Sequence, residues 1–312
     1  MKILLVGCGS IGKRHLENLN KLAEVSQILV YSKVKHCLDG LKDRRKVSMV
    51  KSLHTVQADL AVIANETYQH LNTALILAKK GIHLFIEKPI AHNLSGDLEK
   101  LKRIARLNKI KIGVGYNLRF LGALEFIKTK LSHKMIGDIY FAKIEAGQYL
   151  PFWRKGRDYR VSYSASKKRG GGVALDLSHE IDYMRFLFGD PHSSKVVKAK
   201  VSNLKIDSDD VFEGIYVYDN FICSVHLDYL QKNKKRVICI EGEKGILTCD
   251  LINKKIIIDT LGRKTVVSDK KLFNLDKSYT DEIRSFIKSV KFNRQPEVTF
   301  EDGVKVLKLI EA

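Results

Sequence analysis

Residues 2–15 read KILLVGCGSIGKRH. An apolar run, Ile3 to Val6, enters a turn with glycines at 7, 9 and 12, and an amphipathic stretch comes after it. The run has the length of a buried strand, and the amphipathic stretch has the spacing of a helix. A GxGxxG pattern alone is weak. Set between a strand and a helix it becomes a dinucleotide-binding turn. Gly7 permits the tight turn, Gly9 lets the backbone approach a pyrophosphate, and Gly12 packs the helix on the sheet. The helix start at Ser10 and Ile11 offers N–H groups to phosphate. The alternative is a plain strand-to-helix turn.

The same rhythm continues to residue 118. QILVYS, ADLAVIAN, HLFIEKP and KIGVGY read as strands; HLNTALILAKKG and SGDLEKLKRIARLNK read as helices. Strand–helix alternation of this kind means a parallel sheet covered by helices. After a soft boundary near Arg119 the rhythm changes. VFEGIYVY, FICSVHLDYL, RVICIEG, GILTCDL and KIIIDT are strand-like and separated by turns such as YDN at 218–220. They predict an antiparallel sheet built from hairpins. Helices are expected from Tyr279 to Phe292 and from near Glu301. The expected class is α/β, with a Rossmann domain at 1–118 and a second α/β domain at 119–312.

The second strand ends in Tyr31, Ser32, Lys33 and Lys35, where NAD-preferring sites carry an acid for the ribose hydroxyl. With no carboxylate there to repel a 2′-phosphate, NADP is favoured over NAD. HLFIEKPI, 83–90, puts Lys88 at a strand's carboxyl end, where open α/β sheets bind ligands. Near a cofactor's positive ring a lysine can have a lowered pKa and exchange a proton with a hydroxyl. The plainer reading is a solvated lysine in a turn.

GGGVALDLSHEIDY, 170–183, sets flexible residues before proton-handling ones. A helix starting near Leu175 would put Leu177, Ile181, Met184 and Phe188 on a buried stripe. Asp176, His179 and Tyr183 would then share another face. The glycines suit close approach by a ligand or by another backbone. A satisfied histidine at a domain interface is the competing reading of His179.

Net charge is +20, from 55 basic and 35 acidic residues. No basic repeat interleaved with aromatics and no recognition helix accompanies it, which argues against nucleic acid. The runs Lys33 to Lys46, Lys100 to Lys111, Lys232 to Arg236 and Arg263 to Lys271 read as solvated faces. Arg154, Lys155, Arg157, Arg160, Lys167, Lys168 and Arg169 are different: they crowd before the glycines and suggest an anionic ligand. The five cysteines are widely spaced, so neither disulfides nor a metal site is signalled. The apolar start is too short for a signal core, and no run is long enough to span a membrane. A cytoplasmic location is expected.

GCGSIGKRH, IEKP at 86–89, GYNLRF at 115–120 and GGG…D…H…D at 170–182 together resemble the Gfo/Idh/MocA oxidoreductases over nearly the whole chain. The resemblance implies a large open sheet in the second domain, used to form a homodimer or homotetramer. It implies hydride transfer between NAD(P) and a sugar-type hydroxyl, with Lys88 and His179 catalytic and Asp176 beside them. Asp176 lies three residues before His179 where family members often show four, so Asp182 or Glu180 could take its part. Besides the glycine turn, Ser32, Lys33, Asn65, Thr67, His70, Glu87 and Lys88 would hold the cofactor. Tyr116, Asn117, Arg119, Trp153, Arg154 and Arg160, with Asp176 and His179, would hold the substrate. The segment YLPFWRKGRDYRVSYSA, 149–165, resembles a branch found with nonulosonic acid and surface-polysaccharide genes. The same fold also serves as a non-catalytic NAD(P) sensor and as an NAD-dependent glycosidase.

Overall fold

The structure, a computed structural model, describes every residue except Lys35, His36, Lys42 and Lys155. Six strands form a parallel sheet: β1 (Lys2–Val6), β2 (Gln27–Tyr31), β3 (Val47–Met49), β4 (Leu60–Ile63), β5 (His83–Glu87) and β6 (Ile112–Gly115). Their order is β3-β2-β1-β4-β5-β6. The order reverses beside β1, so the carboxyl ends of β1 and β4 flank a crevice, the usual ligand site of such sheets. The central strands are apolar along their length because helices cover both faces. These are α1 (Ser10–Lys21), α2 (His70–Ala78) and α3 (Gly96–Leu107).

The second sheet has eight strands: β7 (Ile139–Gly147), β8 (Ser193–Ala199), β9 (Val211–Val217), β10 (Ile222–Asp228), β11 (Lys235–Gly242), β12 (Gly245–Asp250), β13 (Lys255–Thr260) and β14 (Arg263–Val267). Their order is β14-β13-β12-β11-β7-β10-β9-β8, and β7 with β10 is the parallel pair in an otherwise antiparallel sheet. Burial alternates along the strands. In β9, Phe212, Gly214 and Tyr216 are buried, while Glu213, Ile215 and Val217 are exposed. The inner face is packed by α5 (Val173–Asp176) and α6 (His179–Phe188), with α4 (Gly122–Ser132) lying on α6. The outer face carries cross-strand rows, among them Val217–Ile222–Phe141 and Glu213–His226–Glu145.

The chain folds as two units, one of residues 1–116 with 279–307 and the other of 117–278 with 308–312. The last helices are α7 (Leu275–Lys291) and α8 (Phe300–Glu311). Ile283, Phe286 and Ile287 of α7 join Ile3, Leu5, Leu16, Val30 and Phe85 in one core. Gly113 makes room for the Phe286 ring: an added Cβ would lie 2.6 Å from it.

One helix was expected from Leu175; two are found, broken at Leu177 and Ser178. Asp176 ends α5 and His179 begins α6, so Asp176, His179 and Tyr183 do not share a helical face. Gly172 sits at φ +134° with its α-carbon against the Asp209 carboxylate, and Gly171 lies on the carbonyls of Tyr163 and Ser164. Of the two uses expected for these glycines, the structure shows close approach of backbone.

Candidate active site

The glycine turn is built as its spacing requires. Gly7 has φ +93° and lies against the backbone of Ala64 and Asn65, where a Cβ would come within 2.5 Å. A Cβ on Gly12 would lie 2.2 Å from the Gly7 carbonyl oxygen. At Gly9 nothing lies within 4 Å, so space is open in front of α1. No side chain caps α1 among the described residues, and its first turn holds no acid. The N–H groups at Ser10, Ile11 and Gly12 and the positive end of the helix dipole therefore suit a pyrophosphate. Asn65 stands across the turn. Its amide donates to Gln69 and Thr73, and its Oδ1 is buried without a partner among the described residues. The residues present fit a dinucleotide.

Ser32 and Lys33 come after β2 at the surface, with Ser32 Oγ accepting from the Val34 N–H at 3.0 Å. Lys35 lies outside the described residues, as does Lys155. Cys8 is buried, and its thiol, pushed up to about 12 chiefly by burial, donates to the Cys37 carbonyl. It carries no reactive thiolate near neutral pH.

At the end of β5, Lys88 comes directly after Glu87 and the Lys88–Pro89 bond is cis. Glu87 is buried. One of its oxygens lies 2.5 Å from Nε2 of the fully buried His15, and the other accepts the Lys88 backbone N–H at 3.2 Å. His70 is also buried. Its Nδ1 lies 2.9 Å from the Pro89 carbonyl and its Nε2 3.1 Å from that of Asn65, and burial lowers its pKa. The ring thus braces the segments after β4 and β5. Thr67 is buried in the turn before α2.

In the second unit, Asp176 accepts a 2.6 Å hydrogen bond from Tyr229 Oη. The Asp176 carboxylate, and then burial, also raise the Tyr163 phenol, which hydrogen-bonds to it. His179 is buried at the first position of α6. Glu180 holds Arg236 through both oxygens, at 2.6 and 3.2 Å, and Asp182 holds Arg119 through both, at 2.7–3.1 Å. A hollow of about 220 Å³ is lined by Trp153, Arg154, Asp176, Leu177, Lys234 and Arg236, among others. Trp153 is fixed: its N–H donates to the Gln148 carbonyl at 2.9 Å, and its ring meets Tyr229 edge-on.

The profile described as "Oxidoreductase family, NAD-binding Rossmann fold" matches residues 1–116, and that described as "Oxidoreductase family, C-terminal alpha/beta domain" matches residues 128–312. The chain belongs to the Gfo/Idh/MocA oxidoreductase family. Myo-inositol 2-dehydrogenase of Thermotoga maritima is 25% identical over 330 aligned positions, covering 99% of this chain and 94% of its own. The WlbA dehydrogenase of Bordetella pertussis, solved with NADH and UDP-GlcNAcA, matches with TM-score 0.81 at 18% identity over 100% of this chain and 94% of its own. Levoglucosan dehydrogenase, solved with NADH and levoglucosan, matches with TM-score 0.84 at 17% identity over 100% of this chain and 96% of its own. The two structural matches establish the fold.

In this Gfo/Idh/MocA oxidoreductase, the residues named from sequence fall into groups. Trp153, Arg154 and Asp176 share the hollow. Arg160 does not line it; it is exposed and paired to Asp158 at 2.7 Å. Asn117 is buried and donates to Ser278 at 2.8 Å, and Tyr116 is fully buried. Sequence reasoning missed His15, Tyr163, Tyr229, Lys234 and Arg236. The run Lys232 to Arg236 was expected to be a solvated face; residues 232–235 are exposed, and Lys234, Lys235 and the half-buried Arg236 also line the hollow.

Proposed function

We propose that this chain is an NAD(P)-dependent dehydrogenase or reductase acting on a hydroxyl or keto group of an anionic sugar derivative. The observation that carries the reading is the open space at Gly9 ahead of the uncapped α1, on a sheet that also ends in Lys88. When bound, the nicotinamide supplies or accepts the hydride. The protein's part is binding, orientation and proton management. Gly7, Gly9, Ser10, Ile11, Gly12 and Asn65 hold the dinucleotide. Ser32 and Lys33 favour a 2′-phosphate, hence NADP over NAD. Lys88 orients the reacting hydroxyl and His179 exchanges its proton, with Asp176 beside the substrate. The basic segment before the glycines supports an anionic substrate, as does UDP-GlcNAcA in the WlbA dehydrogenase complex. Residues 1–118, with 279–307 packed into their core, form the dinucleotide-binding part, and the rest of 119–312 the substrate-binding and oligomerising part, through the outer face of the eight-stranded sheet.

Calorimetric titration with NADPH and separately with NADH tests the cofactor assignment. Tighter NADPH binding, lost in Lys33→Glu, is expected. Binding of neither nucleotide would remove the oxidoreductase reading. Lys88→Ala should keep nicotinamide binding and lose about 10²–10⁴-fold in turnover; full turnover would take Lys88 out of the scheme.

A further inference from the structure

We propose that the hollow beside Trp153 is an oxyanion subsite, in which Arg154 and Lys234 together receive the carboxylate or phosphomonoester of one sugar-sized group. It rests on reading the second unit as the substrate-holding one, and it names the charge-bearing subsite there.

The argument begins with strand register. Glu145 pairs with Val237 across β7 and β11 and faces the outer side of the sheet. Residues two apart share a face, so Lys235 points outward with Val237. Its ammonium lies 2.9 Å from Glu145. Arg236 takes the opposite face and reaches the hollow, and Lys234, just before β11, lines it too, with Lys235 at its edge. Arg236 is committed to Glu180. Asp176, the acid in the lining, takes two tyrosine hydroxyls. Lys234 and Arg154 remain, and neither forms an ion pair among the described residues.

The setting of each cation favours a ligand anion. Lys234 stands exposed at the mouth of the hollow, and desolvation and then the neighbouring Arg236 hold its pKa below the ordinary lysine value. The like charge of Arg236 beside it is offset when an anion arrives. Arg154 lies over the Tyr163 ring, 5.1 Å from its centroid. Stacking of this kind leaves the guanidinium edge for a planar or tetrahedral oxyanion. The fixed Trp153 indole supplies an apolar wall for sugar C–H groups. At about 220 Å³ the hollow is smaller than the ~300–1,000 Å³ clefts that enclose drug-sized ligands, so it takes one terminal group.

Trp153 is the single tryptophan of the chain, so its emission reports this hollow directly. The full-length protein, with and without NAD⁺, is titrated with glucuronate, glucose 6-phosphate and glucose. Saturable emission change with glucuronate or glucose 6-phosphate, and none with glucose, is expected. Whichever acid responds identifies the group as carboxylate or phosphomonoester. Lys234→Ala and Arg154→Ala should each weaken binding about 10-fold or more, while Lys195→Ala, on exposed β8 away from the hollow, leaves it unchanged. Absence of response to either acid in folded protein overturns the subsite, as does a response undiminished in both variants. Calorimetry with NADPH and NADH on the same preparations separates the two readings. Retained nicotinamide binding with no oxyanion response defeats the subsite alone; oxyanion response without nicotinamide binding defeats the oxidoreductase reading.

Discussion

Glu87 shows how one side chain ties chemistry to fold. It sits between buried His15 and the backbone of Lys88, with Gly115 leaving no room beyond it: a Cβ there would lie 3.1 Å from the carboxyl carbon. Removing one partner of a buried, hydrogen-bonded pair leaves the other desolvated and unmatched. Glu87→Ala should therefore lose about 3–5 kcal/mol in chemical denaturation; a loss under about 1 kcal/mol would show that the pair contributes little. Lys88 was legible in the sequence because Glu87, Lys88 and Pro89 are contiguous at a strand end. The His15–Glu87 pair was not, since the two are 72 positions apart and meet only because α1 lies against β5, where His15 also packs on Phe85. Arg236 was hidden by its neighbours: a run of cations reads as solvated until strand register turns one of them inward.

At the scale of elements, the stretch 170–188 is most informative. Composition and spacing suggested a single helix, and nothing local forbade it. Asp209 and Tyr229, both distant in sequence, contact Gly172 and Asp176 on the N-terminal side of the break. Gly171→Ala would drive its Cβ to 2.3 Å from the Tyr163 carbonyl oxygen, so either the backbone moves or the variant unfolds early. We expect a loss of about 1–3 kcal/mol in denaturation, and a neutral result would refute the close approach. The eight-stranded sheet carries a pH signature of its own. On its outer face His226 lies 3.0 Å from Asp228 and also pairs with Glu213; Glu145 lies opposite, and Gln231 shares Asp228. Asp228 and then Glu213, against burial, hold the imidazole at about 9. An unfolded histidine titrates near ~6.5. The pair's contribution is thus full below about pH 6.5 and is lost as pH rises through the folded value near 9. The stability gap between wild type and His226→Gln should narrow across that window; a constant gap would dissociate it from the imidazole charge.

For the whole molecule, the alternation of apolar runs announced the parallel sheet, and hairpin turns announced the antiparallel one. Less visible was the return of residues 279–307 to the first unit, because an amphipathic helix does not declare which core its stripe enters. The outer face of the large sheet leaves Phe141, Ile215, Val217 and Ile222 exposed in adjoining rows. Contiguous apolar surface of this kind marks a protein–protein contact. Sedimentation should show wild type as a dimer or tetramer and Phe141→Lys/Ile215→Lys as a monomer; a monomeric wild type would end the proposal. The dispersed first unit also bears on how the chain is born. Residues 1–116 leave the ribosome first, yet Ile283, Phe286 and Ile287 are needed to close their core. At ~5–20 residues per second, that core waits about 10–30 s for its last helix. During that interval the nascent chain displays an apolar groove to whatever chaperones attend synthesis.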